Sequence, residues 1–144
     1  MTRDPLPQAA LFTPFELRGV EFANRVAVSP MAQYSAVEGV VQPWHMQHLG
    51  SLAVSGPGLV CIESTSVERS GYGSKTCVAL HDDAQEAGLR QLIGAIRTFS
   101  NTPIGVQFGH SGRKGCGADP SQGRGALRPE EGAWEIFGPS PVAG

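Results

Sequence analysis

No apolar run in this sequence approaches the roughly 20 residues that a helix needs to cross a bilayer. No Cys-x-x-Cys pair occurs, and lysine and arginine form no dense stripe. Each absence removes a class of function. Asp4 and two prolines stand within the first ten residues, where a signal peptide would need a continuous apolar core. The expectation is a cytoplasmic protein, neither exported nor membrane-spanning. Cys61, Cys77 and Cys116 are odd in number, and their spacing supports neither a disulfide framework nor a zinc knuckle. A formal net charge of −2 lacks the electrostatic footprint of a nucleic-acid binder, so a small or neutral ligand fits better. There is no phosphate loop, dinucleotide fingerprint, Ser/His/Asp order or pair of catalytic carboxylates, and hydrolysis and nucleotide-phosphate chemistry lose support.

Turn formers are plentiful instead. Nineteen glycines and 11 prolines, clustered between apolar runs, disfavour a helical bundle, and 144 residues make about one domain. Phe15, Leu17, Val20 and Phe22 alternate around Arg18-Gly19 and predict a short hairpin, glycine supplying the positive φ of a tight turn. Val26-Ala27-Val28 is short and apolar, as a strand buried on both faces is. Met46, Leu49, Leu52 and Ala53 fall at helical spacings and predict a helix over 44–55, closed by Gly56-Pro57-Gly58. Leu59-Val60-Cys61-Ile62 follows as a strand bounded by Glu63. The polar stretch 68–80 reads as an ordered or mobile loop over a site. Asp83 with Glu86 resembles a capping box, and Leu89, Leu92, Ile93 and Ile96 lie at i, i+3, i+4 and i+7, one apolar stripe facing a sheet. Asn101-Thr102-Pro103 ends that helix, residues 104–108 make a third strand, and 115–144 form an extended loop. The order hairpin, β, α, β, α, β implies right-handed crossovers and a parallel sheet, either part of a closed barrel or open and doubly wound.

Polar chemistry gathers where the strands stop, which is where parallel α/β folds bind ligands. After the first strand stands Ser29-Pro30-Met31-Ala32, able to offer backbone contacts to a planar ligand under proline's fixed φ, or else a simple strand-ending turn. Tyr34 offers a hydroxyl to a substrate carbonyl, or is a half-buried packing residue. Gln107 can present donor and acceptor to a heteroaromatic edge, or is a satisfied core amide. His110, Arg113 and Lys114 can hold an anion or organise their own loop. His45 and His48 are read as structural or surface histidines, with no metal site, and Cys61 as a small buried apolar residue.

The segments Leu11-Phe12-Thr13-Pro14, Asn24-Arg25, Ser29-Pro30-Met31, His45-Met46 with His48, Gly58-Leu59-Val60 followed by Glu63, and Gln107 through Lys114 together resemble the Old Yellow Enzyme family. The likeness is to its bacterial NADPH-dependent ene-reductase and xenobiotic reductase class. That resemblance implies part of an FMN-binding (β/α)8 TIM barrel: the N-terminal hairpin plus about the first three βα units, filling residues 1–144. It implies FMN reduced by NADPH or NADH and then reducing activated C=C bonds such as enones, with the cofactor supplying the redox chemistry. Carried over by position, Ser29, Pro30, Met31 and Ala32 would line the flavin, Ser64 and Gln107 would contact its rings, and Tyr34 would face the substrate. The class usually has cysteine where Ala32 stands, and alanine is common where Ser64 stands. The resemblance places the substrate-anchoring histidines beyond residue 144, so no catalytic residue is assigned here. The expectation is therefore a fragment or split chain completed by a C-terminal partner, with homo-oligomers possible for the full-length enzyme. A non-catalytic remnant or interaction module that binds no flavin is the alternative.

Overall fold

The computed structural model describes residues 9–123 and 125–140. The leader reading and the far end of the 115–144 stretch therefore lie partly outside the described residues. Strands β1 (Phe15–Leu17) and β2 (Val20–Phe22) form the expected hairpin, with Phe15 opposite Phe22 and Leu17 opposite Val20. Arg18 at φ 51° and Gly19 at φ 78° occupy the two left-handed positions of a type I′ turn, whose twist matches that of paired strands. The Phe15 and Phe22 rings stack at 4.9 Å, and the Arg25 guanidinium lies 4.9 Å over Phe15.

The main sheet is parallel, in the order β3 (Ala27–Val28), β4 (Leu59–Ser66), β5 (Ile104–Gly109). Helix α1 (Pro43–Val54) connects the first pair of strands and α2 (Asp83–Ile96) the second. These are successive βα units, and among the described residues the sheet does not close into a barrel.

Two boundaries depart from the sequence reading. Strand β4 does not stop at Ile62 but runs on to Ser66 through a bulge: Ile62 lies opposite Val106 and Ser64 opposite Gln107, leaving Glu63 as the extra residue. The cap of α2 is Asp82, not Asp83, because the Asp82 carboxylate accepts the Gln85 amide at 2.8 Å and satisfies a donor that the helix cannot. Glu86 instead pairs with Arg90 along the helix surface.

Leu49 and Ala53 of α1, Leu89, Leu92 and Ile96 of α2, and Val60 and Ile62 of β4 form the buried core, with Val28, Ile104 and Val106 packed against it. Fully burying a Leu, Ile or Val side chain contributes about 1.5–3 kcal/mol, so this one interface anchors the fold. Strand alternation turns the neighbours of these residues to the other face. There Ala27, Ser29, Ser64 and Gln107 are exposed, and no layer covers them among the described residues.

The stretch 68–80 is ordered beside the end of β4. Val78 and Ala79 are fully buried, the Ser66 amide donates to Val78 O at 2.9 Å, and the Leu80 amide donates to Ser66 O at 2.8 Å. Beyond residue 114 the chain makes short 3-10 turns at Pro120–Gln122 and Pro129–Glu131, and it pairs back through Cys116 N–H to Tyr72 O and Gly117 N–H to Gly73 O. No helix among the described residues is long and apolar enough to cross a membrane.

Candidate functional site

Strand register brings three of the candidate residues to one place. Ser64 and Gln107 are direct partners on adjacent strands. Ser29 directly follows β3, whose Val28 pairs with Val60 and packs on the helices, so alternation puts Ser29 on the uncovered face. The glycines on either side of Gln107 report the same face. A Cβ on Gly109 would stand 2.6 Å from Ser64 Oγ, and one on Gly105 would meet Leu59 and the Cys61 sulfur at 3.6 and 3.7 Å. Cys61 is thus half-buried on this open face rather than part of the apolar core, and its burial raises the thiol above the ordinary cysteine value.

Pro30, Met31, Ala32 and Tyr34 occupy the loop beyond the carboxyl end of β3. Met31 is 46% and Tyr34 41% exposed. Tyr34 sits at φ 49°, an uncommon left-handed value for a residue of its size, and its hydroxyl has no hydrogen-bond partner among the described residues. The loop is nevertheless held. Gln33 Nε2 donates to Met31 O at 2.8 Å, Trp44 Nε1 donates to Gln33 Oε1 at 3.0 Å, and the Gln33 amide donates to Glu63 Oε2 at 3.0 Å.

Sequence reasoning missed Gln33, Trp44 and the role of Glu63. One signal was present: an acid interrupts the apolar run Leu59-Val60-Cys61-Ile62, where a charge is almost never buried without partners. His45 is buried, and its Nδ1 accepts the Gln42 amide at 2.9 Å at the start of α1, a structural role.

His110 organises its own loop. Its Nδ1 accepts the Gly112 amide at 2.9 Å, so Nε2 carries the proton and donates to Glu68 Oε1 at 2.8 Å. The Ser70 hydroxyl donates to that same oxygen. Glu68 is held below the ordinary glutamate range by the Ser70 hydrogen bond first and the His110 bond second. Both donors converge on one carboxylate, so Ser70 is not poised as a nucleophile on the imidazole. Arg113 donates to the Ser140 hydroxyl at 2.9 Å, which makes it a loop organiser too.

A cleft of about 680 Å³ lies at the opposite end of the sheet, between the hairpin and the starts of β4 and β5, lined by Phe15, Phe22, Pro57 and Pro103 among others. None of the candidate residues borders it. Volume alone does not make a site.

A profile of the NADH:flavin oxidoreductase / NADH oxidase family matches residues 10–135. The chain is 37% identical over 139 residues to an NADH:flavin oxidoreductase of Gibberella zeae, covering 92% of this chain and 33% of the relative. It is 42% identical over 106 residues to an NADPH dehydrogenase of Bacillus licheniformis, covering 72% of this chain and 31% of the relative. A morphinone reductase solved in complex with tetrahydroNAD superposes on 75% of this chain and 29% of its own length, with a TM-score of 0.68 at 27% identity. The chain spans about a third of the length of the curated relatives it matches.

Proposed function

The chain belongs to the NADH:flavin oxidoreductase / NADH oxidase family, and we propose that its uncovered sheet face is part of an FMN cradle in an NAD(P)H-dependent oxidoreductase acting on activated C=C bonds such as enones. The observation that carries this reading is the meeting of Ser29, Ser64 and Gln107 on one face, at the carboxyl ends of three adjacent parallel strands.

The residues suit the cofactor. Serine hydroxyls and a carboxamide offer donors and acceptors without charge, which matches a flat heteroaromatic ring rather than a phosphate. Gly105 and Gly109 flank Gln107 on that face without side chains of their own, and the Ser64 hydroxyl lies where a Cβ on Gly109 would crowd it. Ser64 and Gln107 would hold the ring edge, Ser29, Pro30, Met31 and Ala32 would line it, and the Tyr34 hydroxyl would donate to a substrate carbonyl. Bound there, FMN would supply hydride transfer from NADPH or NADH to the alkene. In this reading residues 1–144 are one part of a barrel, and a complementing stretch closes the cradle from the other side.

The test is an FMN titration followed by flavin fluorescence, on the chain alone and with the remaining two thirds of a relative's barrel supplied as a second polypeptide. Quenching that weakens about tenfold in Gln107→Ala, the effect of one well-placed hydrogen bond to a ring, supports the cradle. No quenching with the complement present overturns it.

A further inference from the structure

Glu63 is a carboxylate inside β4, 4% exposed, and it exists there because of the bulge. Regular alternation would let Ile62 face the helices and the next residue face the open side. The extra residue breaks that rule: Ser64 stays in register with Gln107, and Glu63 is re-aimed toward the neighbouring loop.

A buried charge is retained only where its partners hold it, so those partners define its role. Oε2 accepts the amide of Gln33, thirty residues earlier, at 3.0 Å. Oε1 faces His45 Nε2 at 3.4 Å. His45 Nδ1 already accepts the Gln42 amide, which places the ring proton on Nε2, directed at the carboxylate. Neither Oε1 nor Nε2 has another partner among the described residues. One oxygen thus grips the loop after β3 and the other meets the first turn of α1. Trp44, adjacent to His45 on that turn, grips the Gln33 side chain as well. The residue that follows Gln33 is Tyr34 at φ 49°, and a tyrosine keeps a left-handed backbone only where its surroundings impose it.

We propose that Glu63 is a positioning residue: through the Gln33 amide it sets where Ala32 and Tyr34 stand relative to the Ser64–Gln107 face, with His45 as its buried counterpart. In its consequence for cofactor binding the proposal rests on the flavin reading, whereas its consequence for the loop does not.

Glu63→Ala and Glu63→Gln in the full chain separate the two. Without cofactor, amide hydrogen exchange at Gln33 should speed up about tenfold or more in Glu63→Ala, the loss of a bond to a charged acceptor. Exchange should stay near the original in Glu63→Gln, which keeps a carbonyl for the amide, and Ile62 should be unaffected in both. With FMN and the complementing stretch, affinity should fall by a similar factor in Glu63→Ala and recover in Glu63→Gln. Unchanged exchange at Gln33 in Glu63→Ala overturns the proposal, and so does equal loss in both variants. If the unaltered chain quenches no flavin, the cradle reading falls, and the exchange arm alone decides the role of Glu63. Should Glu63→Ala not fold, Glu63→Asp, whose shorter side chain withdraws the acceptor, replaces it against Glu63→Gln with the same outcomes.

Discussion

Asn24 Oδ1 accepts the amide of Gly58 at 2.8 Å across 34 residues of sequence. The same oxygen takes the Val26 amide at 3.0 Å, and Nδ2 donates to Gly56 O at 2.8 Å, so one side chain ties the entry of β3 to the entry of β4. Gly58 permits the approach, because a Cβ there would overlap the Asn24 carbonyl oxygen, and backbone cannot swing aside as a side chain can. Gly58→Ala should therefore cost about 3 kcal/mol, the upper range for overpacking. Asn24→Ala should cost about 1–3 kcal/mol through unsatisfied amides. Urea midpoints at constant m-value measure both. A Gly58→Ala chain as stable as the original would show that the β3–β4 register is set elsewhere.

Local chemistry was legible in the sequence, and long-range pairing was not. Arg18-Gly19 between alternating apolar residues announced its turn because the backbone requirement is local. Leu89, Leu92 and Ile96 announced a buried stripe because 3.6-residue periodicity is local too. The bulge at Glu63 depends on a two-against-one count with β5, forty residues away, and nothing within 59–66 specifies that count. Polar residues at strand ends were legible as candidates, and the β4–β5 register sets two of them, Ser64 and Gln107, side by side. The hold of Trp44 and Glu63 on Gln33 needed the strands assembled first.

Asp82, rather than Asp83, carries the first turn of α2, and the two adjacent acids make a controlled comparison. Asp82→Ala should destabilise the chain by about 1 kcal/mol, the usual worth of an N-cap. Asp83→Ala should lose only the weaker macrodipole contribution, about 0.3–1 kcal/mol at low salt. Salt separates the two, since the cap loss should persist at 1 M NaCl while the dipole loss fades. Equal, salt-sensitive losses would argue that Asp82 makes no cap.

Gly39 and Gly19 share φ 78° but differ in surroundings. A Cβ on Gly19 meets nothing within 4 Å, whereas one on Gly39 would stand 2.5 Å from the Tyr72 hydroxyl, 2.7 Å from Gln85 Nε2 and 2.8 Å from Ala79 Cβ. Gly19→Ala should cost about 1 kcal/mol, the conformational share alone. Gly39→Ala should cost about 1–3 kcal/mol more, because it forces apart the buried bond from Gln85 Nε2 to the Tyr72 hydroxyl. Thermal midpoints of the two variants give the difference directly. Equal shifts would mean that the Tyr72–Gln85 node yields without strain.

Glu68 predicts an acid-side effect. Its carboxyl is held low by Ser70 and then His110. A group whose folded-state pKa is depressed adds stability above the ordinary glutamate range and loses it as the pH falls through the lowered value. The tie between the loops after β4 and β5 should therefore lose the Glu68 contribution on acidification below that range. Carbon-13 NMR titration of the Glu68 carboxyl should show Ser70→Ala moving it back toward the ordinary value more than His110→Asn does. The reverse order would reassign the main cause to the imidazole.

Ala32 tests the cradle through the flavin itself. A methyl group cannot hydrogen-bond a ring, whereas a cysteine thiol is a weak donor that would favour the more electron-rich reduced state. One hydrogen bond contributes about 0.5–1.5 kcal/mol, and 30 mV corresponds to about 1.4 kcal/mol for a two-electron couple, so the shift is on the order of 10–30 mV. Ala32→Cys in the FMN-loaded, complemented protein should raise the midpoint potential by that amount. Spectroelectrochemical titration against a dye of known potential measures it. An unchanged midpoint would place Ala32 out of reach of the ring and detach the loop after β3 from the cradle.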